Sequence, residues 1–381
     1  MHTPARTEAD WGDPPWKIDF DVSPTRVPNE VDFAVIGAGF TGLAAAAWLR
    51  RSDPSKSVAV FEARRIGAGA SGRTGGMALA ESAAGDLPGL GDVLGGAAKI
   101  FGELGIESEI SLPGASEIAR TGKPLPHSRI NWTDSGRLHA VAEVMGGTLN
   151  PGKVVGGLAR AAHERGALIV EDAPIEKIEW SKYPVLHVNR REHGTVRAGK
   201  ILFATNALSL PLSGIEPEGM GARLTLAIAT EPLGQDALRT LGLDDGKPFY
   251  TVDLPYLWGR TCGDSSIVWG GGLISAAGSN DLSSVSLHSP EARALFASLE
   301  NRVRGLHPVL KNVRFTHEWG GPILFRESWK PVFDWHPESN GKGIVLGAFA
   351  GHGVVLSSYL ASWAAEALLG QRDLPQWGKL E

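Results

Sequence analysis

Three glycines and one acid carry the most chemistry in this sequence. Gly37, Gly39 and Gly42 follow directly on an apolar run at residues 31–36, and Glu62 stands twenty residues past Gly42, at the end of a second apolar run, 57–61. Strand, tight turn, helix, strand and acid in that order make the dinucleotide-binding fingerprint. The first glycine permits the turn, the second lets backbone approach a pyrophosphate at the helix N-terminus, and the third lets helix pack on strand. Glu62 can accept hydrogen bonds from a ribose diol and would repel a 2′-phosphate, which argues against NADP. The fingerprint leaves FAD and NAD both open.

The elements that must position these residues are legible on either side. The alanine-rich stretch after Gly42 runs as a helix to Arg51 and stops at Ser52, Asp53 and Pro54. Behind Glu62 comes RRIGAGASGRTGG, residues 64–76, whose crowded glycines imply backbone pressed against another body. Asn150 and Pro151 mark a helix start, cap followed by proline at the first helical position, with the helix ending near His163 or Glu164. Strands are expected at 167–170, 185–188 and 195–204, and a helix near 290–305. Residues 344–369 are apolar enough to span a bilayer, but Gly351, His352, Gly353, Ser357, Ser358 and Glu366 interrupt them, so the expectation is a buried strand, turn and helix. Residues 1–29 read as an extended surface arm. From about 85 to 145 the pattern gives no firm element.

Composition bounds the rest. With 43% hydrophobic and 21% charged residues in 381, the chain is globular, and its net charge of −5 offers no field for holding nucleic acid. Glycine, at 49 residues, clusters at strand-to-helix turns rather than repeating every third position. A single cysteine, Cys262, excludes an internal disulfide framework and a thiolate zinc or iron–sulfur site, which fits a reducing cytoplasm. Metal chemistry is not expected: His163 with Glu164 and His317 with Glu318 each lack the second histidine of a zincin. No GxSxG nucleophile elbow occurs, and GTVRAGKI at 194–201 misses a P-loop because Ile201 cannot hold magnesium.

Taken with the GASGR loop at 69–73, these motifs resemble the FAD-dependent oxidoreductases of the D-amino acid oxidase, glycine oxidase and sarcosine oxidase superfamily. The chain is most similar to the γ-glutamylputrescine oxidase-like branch. The supporting segments are DFAVIGAGFTGL (32–43), NPGK (150–153), ATNA (204–207), TEPL (230–233), WGG (319–321) and GHGV (351–354). The resemblance implies non-covalent FAD, since Cys262 lies in a turn between two strands and not at the flavin-linking position. It implies cofactor contacts from Gly37, Gly39, Phe40, Thr41 and Gly42 at the pyrophosphate and from Glu62, Ala63 and Arg64 at the ribose. Ala70, Ser71, Gly72, Arg73, Gly75, Gly76 and Met77 would follow the flavin side, Ile175 would meet the adenine through its main chain, and Ala204 and Thr205 would close over the dinucleotide. Gly351, His352, Gly353 and Val354 would lie beneath the pyrimidine ring, where a helix N-terminus directs N–H groups and positive dipole.

Departures from the family pattern bear on the substrate. Val355 stands where sarcosine oxidases carry a basic carboxylate-binding residue, and Arg326, Glu327 and Ser328 replace a Thr-x-Asp ahead of Pro331. No lysine matches the oxygen-activating one within residues 267–273, and residues 77–150 are shorter than usual, which leaves part of the substrate cover trimmed or supplied by another subunit. His352 and Arg326 are the candidate catalytic groups. Trp258, Trp269, Trp319, Trp329 and Trp335 either wall an apolar amine pocket or fill the core, and Tyr250 and Tyr256 carry the same ambiguity.

The expected fold is α/β: a Rossmann-like FAD-binding domain from residues 30–90, 146–210 and 340–381, and a substrate domain on an antiparallel β-sheet from 91–145 and 211–339. The expected activity is oxidation of a C–N bond in a small amine or amino acid by hydride transfer to flavin N5, followed by imine hydrolysis. Oxygen or another acceptor would take the electrons, with no membrane span and no nucleic-acid partner. Two alternatives stay open, a 2-hydroxy acid or glycerol phosphate dehydrogenase and a non-catalytic FAD-binding subunit.

Overall fold

A computed structural model of the chain describes residues 10–190, 194–208, 210–214, 219–276 and 280–380, with backbone alone at 211. Two large sheets share the work. The first has the order β17 (Val332–Trp335), β18 (Gly343–Gly347), β11 (Gly194–Phe203), β1 (Glu30–Ile36), β2 (Val58–Phe61), β8 (Leu168–Val170). Pairing is parallel throughout except at the β17 edge and where the hairpin β9 (Ile175–Glu179) and β10 (Val185–Val188) extends from the first half of β11. The sequence of β1 shows why it sits centrally: Phe33 and Val35 join Val58 and Val60 on one face, while Ala34 and Ile36 join Ala59 and Phe61 on the other. A strand buried on both faces needs apolar residues at nearly every position.

The first face is covered by helices. α1 (Phe40–Ser52) packs between α3 (Pro151–Glu164) and α6 (Gly353–Leu368), and α2 (Val93–Leu104) packs on α6. Asn150 caps α3 as expected, its Oδ1 accepting from Lys153 N at 3.2 Å, with Pro151 at the first turn. The second sheet is mixed and mostly antiparallel, in the order β16 (Phe315–Arg326), β12 (Met220–Thr230), β15 (Ile267–Ser275), β14 (Trp258–Thr261), β13 (Phe249–Thr251), β4 (Ala115–Ala119), β6 (Arg137–Val144), β5 (Asn131–Thr133). α4 (Gln235–Leu241) and α5 (Pro290–Leu306) flank it, and in its core Trp132 meets Phe249 and Trp269 edge to face at centroid distances of 4.9 and 5.5 Å while those two rings are tilted at 5.0 Å. One hydrophobic core runs without a break from the back of β1 to this sheet. A short pair, β3 (Met77–Leu79) with β7 (Gly146–Thr148), joins the two regions.

Two expectations change and a third is qualified. α2 belongs with the helix layer of the first sheet, since Val93, Ala97, Ile100 and Phe101 are buried there and Tyr359 Oη donates to Leu90 O at 2.6 Å. β17 likewise extends the first sheet, although its residues were assigned to the substrate region. The N-terminal arm is extended and largely at the surface, as expected, but it is anchored: Trp11 is 1% exposed, its Nε1 donating to Val285 O at 3.1 Å, and Gly12 bridges Trp319. An indole with a satisfied N–H is too large an apolar surface to leave in water when a slot beside β16 accepts it. Residues 1–9 lie outside the described residues. The apolar stretch 344–369 is β18, a turn and α6, and no helix among the described residues is long and apolar enough to cross a membrane.

Candidate active site

All the parallel strands of the first sheet end at one edge, and the glycine turns stand there together. Gly37 leaves β1 with φ +103°, and a Cβ on it would meet Ala204 O at 2.7 Å. Gly42 lies so close under the turn that a Cβ would meet Gly37 O at 1.9 Å. Both positions therefore require glycine, one for its backbone angle and contact and the other for contact alone. The helix that follows has no side-chain cap of its own at Gly39; Ser71 Oγ reaches across and accepts from Phe40 N at 2.8 Å. Ala204, at the end of β11, donates to Ile36 O, so Ala204 and Thr205 border the same turn.

Glu62 ends β2 beside them. Its Oε2 accepts from Ala38 N and its Oε1 from Arg64 N, each at 2.9 Å. Burial pushes this carboxyl above its usual range, and the two N–H bonds oppose the shift. The backbone of 172–175 folds against it, Asp172 N donating to Arg64 O and Ala173 N to Glu62 O, which brings Ile175 to the neighbourhood of the acid. Ala63 lies between these contacts.

The loop 64–76 is stitched to the second sheet by residues far away in sequence. Trp16 Nε1 donates to Gly72 O at 2.7 Å, Trp319 Nε1 to Arg73 O at 2.8 Å, and the buried Arg260 donates Nε–H to Gly75 O. Arg73 donates back to Trp11 O and Gly12 O, and the rings of Trp16 and Trp319 meet at 85° with centroids 5.5 Å apart. Ala70 and Ser71 lie within this loop. Gly76 and Met77 lead from it into β3, Leu149 N donating to Gly76 O.

The turn into α6 sits on the same edge. Ala348 and Ala350 both have positive φ, +57° and +49°, held by Asn206 Oδ1 accepting from Ala348 N at 2.9 Å and by Leu324 O accepting from Ala350 N at 3.0 Å. Strain in two alanines marks a turn that the surroundings enforce. Gly351, His352, Gly353 and Val354 follow; no side chain caps α6 and its first turn carries no acid, so its positive end is uncompensated. His352 Nδ1 lies 3.3 Å from Ala350 O, a contact that requires the Nδ1–H tautomer and leaves Nε2 as an acceptor. Burial lowers the pKa of His352, and the Ala350 contact and Glu81 oppose the shift.

His352 faces a cavity of ≈ 170 Å³ whose lining includes Leu79, Glu81, Ser82, Met145 and Tyr250. Arg326 does not reach it. That residue is buried at the end of β16, its Nη2 donating to Lys379 O at 3.0 Å and its Nη1 without a hydrogen-bond partner. Nor do the five tryptophans line it: Trp269 and Trp319 are fully buried core, Trp329 is half-exposed, and Trp258 packs over Gly75 and Gly270. Tyr256 also stays outside, whereas Tyr250 is on the wall. Cys262 stands in the turn between β14 and β15 beside Trp16 and Trp258. Sequence reasoning missed Glu81, Asn206 and the two arm tryptophans. Asn206 carried a signal, since asparagine tolerates the left-handed conformation it adopts at φ +47°; Glu81 carried none.

The tight glycine turn at 37–42 against Ala204, with an acid twenty residues on whose carboxylate binds the same turn, fits a dinucleotide, and comparison with known proteins identifies which. The model of the FAD dependent oxidoreductase family matches residues 32–91 and 92–367. The chain belongs to that family; it is an enzyme, and its cofactor is FAD. Among curated relatives, the gamma-glutamylputrescine oxidoreductase of Escherichia coli is 26% identical, over 90% of this chain and 84% of the relative. A probable oxidoreductase OrdL of Rhizobium meliloti is 26% identical with the same coverage. Among solved structures, glycine oxidase from Geobacillus kaustophilus has a TM-score of 0.71 at 18% identity, covering 91% of this chain and 96% of that one. The L-amino acid deaminase of Proteus myxofaciens has a TM-score of 0.72 at 13% identity, covering 97% and 95%. At such identities the structural likeness establishes the fold.

Proposed function

We propose that the protein oxidises a C–N bond of a small amine or amino acid, with non-covalently held FAD accepting hydride at flavin N5. The observation that carries this reading is the enforced turn at 348–352, which sets an uncapped helix N-terminus and a buried His352 at one wall of a cavity. The names of the curated relative and of the structural neighbours, which act on an amine derivative, glycine and L-amino acids, point the same way.

Residues 37–42 would hold the pyrophosphate, Thr41 offering an N–H of the first turn beside Phe40, whose own N–H goes to Ser71 Oγ, and Glu62 would take the ribose diol with Ala63 and Arg64 beside it. The main chain at Ile175 would meet the adenine, with Ala204 and Thr205 closing over the dinucleotide. Residues 70–77 would follow the flavin, and residues 351–354 would lie beneath its pyrimidine ring. Burial lowers the His352 pKa and so favours its free base, whose Nε2 would take the proton that the substrate nitrogen sheds as its α-carbon loses hydride. The imine left behind adds water and splits to a carbonyl compound and an amine or ammonia. Arg326, committed to Lys379 O within the core, would act on the site only through the end of β16.

An anaerobic panel of amines, amino acids, 2-hydroxy acids and glycerol phosphate tests the reading. Bleaching of the visible flavin band by a nitrogen compound and by no hydroxy compound is the expected result. Bleaching by hydroxy acids alone would sink it. Acid precipitation should leave the yellow colour in the supernatant, and a yellow pellet would overturn the non-covalent assignment.

A further inference from the structure

We infer that the cavity beside His352 is a cation-recognising subsite, with Glu81 as its specificity-determining residue, so that the substrate is a di- or polyamine held at one nitrogen while another reacts. The inference rests on the amine reading above and narrows it. Every polar group that argues for it is an acceptor. Glu81 is the one lining residue with a full formal charge among the described residues, and it is exposed on the cavity wall. It is presented by a built turn: Ser82 and Gly85 bridge each other, Gly85 N donating to Ser82 O at 2.9 Å and Ser82 Oγ to Gly85 O at 2.7 Å.

Tyr250 contributes in the same sense. Its Oη donates to Glu117 Oε1 at 2.8 Å, which spends its proton on the far side and leaves the phenol oxygen as an acceptor. Burial and the neighbouring Glu117 raise the Tyr250 pKa, so the proton stays on the phenol. His352, with Nδ1–H committed to Ala350 O, keeps its own acceptor for the reacting nitrogen at the other end of the substrate. A protonated amine brings two or three N–H donors to such a wall. A substrate carboxylate would face Glu81 with no lysine or arginine among the described residues lining the cavity to offset it, and Val355 supplies none from α6. Hydrogen bonds between a charged donor and a carboxylate are the strong kind, sufficient for about a tenfold preference.

The test uses the FAD-loaded protein and its Glu81→Gln and Glu81→Lys variants, titrated calorimetrically and anaerobically with 1,4-diaminobutane, butylamine and 4-aminobutanoate. The wild type should bind the diamine at least about tenfold more tightly than either analogue. Glu81→Gln should erase that advantage, and Glu81→Lys should turn preference toward 4-aminobutanoate, each with an unchanged flavin content that certifies the fold. A wild type that prefers 4-aminobutanoate, or a diamine preference that survives in Glu81→Gln, overturns the inference. The two readings fail separately. Bleaching by monoamines without any dependence on Glu81 removes the subsite and keeps amine oxidation, whereas Glu81-dependent diamine binding without bleaching by any amine keeps the subsite and removes the oxidation.

Discussion

The two ends of the proposed site are built from different materials. The cofactor end is backbone: Gly37, Gly42, Ala204 and the turn at 348–352 present carbonyls and N–H groups, and side chains enter at few points such as Glu62 and Ser71. The substrate end is side chain: Glu81, Tyr250 and His352 come from a loop, a strand of the other sheet and a helix start, far apart in sequence. Backbone geometry must be specified by glycines at fixed spacing, because few other residues clear the contacts. A side-chain cavity can be specified by any residues that the fold brings together.

The sharpest way to break this contrast is to place one methyl group at the cofactor end. In Gly42→Ala the new Cβ would lie 1.9 Å from Gly37 O, a backbone atom that cannot rotate away. We expect a loss of about 3 kcal/mol or more, at the severe end of overpacking, with the flavin-to-protein absorbance ratio after desalting falling toward zero. Retention of full FAD content would show that the turn is softer than its geometry. Trp11→Ala comes next. It empties a fully buried slot between the arm and the second sheet, and large aromatic deletions of this kind cost about 3–5 kcal/mol when the cavity stays open. Because the arm's end can retract, the lower figure is expected, read as a fall in urea midpoint. No change would show that Trp11 does not anchor the arm.

At the substrate end, Tyr250→Phe should leave FAD content intact. It removes the hydrogen bond to Glu117, worth about 1.5–3 kcal/mol for a charged acceptor before solvent access to the half-buried Glu117 reduces it. It also removes one acceptor from the cavity wall. Amine binding should weaken by several fold while stability changes by less than in Trp11→Ala. Lost flavin in this variant would mean that the two ends are one structural unit.

The same division decides what could be read from sequence. The glycine fingerprint, Glu62, the strand–turn–helix at 343–368 and the Asn150 cap were all legible, since each is a local rule that backbone must obey. The segment 85–145 was not, although Asp92, which caps α2 through Gly95 N, and Gly105, left-handed at its end, were signals in plain view. The glycines inside that helix masked its period, β5 has only three residues, and β6 is buried at three successive positions and does not alternate. Trp11 gave no local sign of burial because its slot is made by β16 and Val285, hundreds of residues on. Glu81 was invisible for the same reason: its neighbours across the cavity are set by the packing of two sheets.

Burial drives Glu62 and His352 toward neutrality, and the sign of the shift differs between them. Glu62 is pushed up, toward its protonated form, and His352 is pushed down, toward its free base. For His352 the unfolded chain takes up its proton near pH 6.5 while the folded protein resists until a lower pH. The unfolded state therefore binds more protons in that window, and stability falls as pH drops below about 6.5. One group contributes a slope of at most about 1.4 kcal/mol per pH unit. Other groups titrate in the same range, and the informative quantity is the difference between wild type and His352→Gln. The wild type should lose more stability than the variant between pH 7 and pH 5, by thermal or urea midpoint on protein of equal flavin content. Parallel curves would mean that His352 ionises in the folded protein as readily as in water. In that case the cavity wall would carry a positive charge at mildly acid pH, and the preference for a cationic substrate would weaken there.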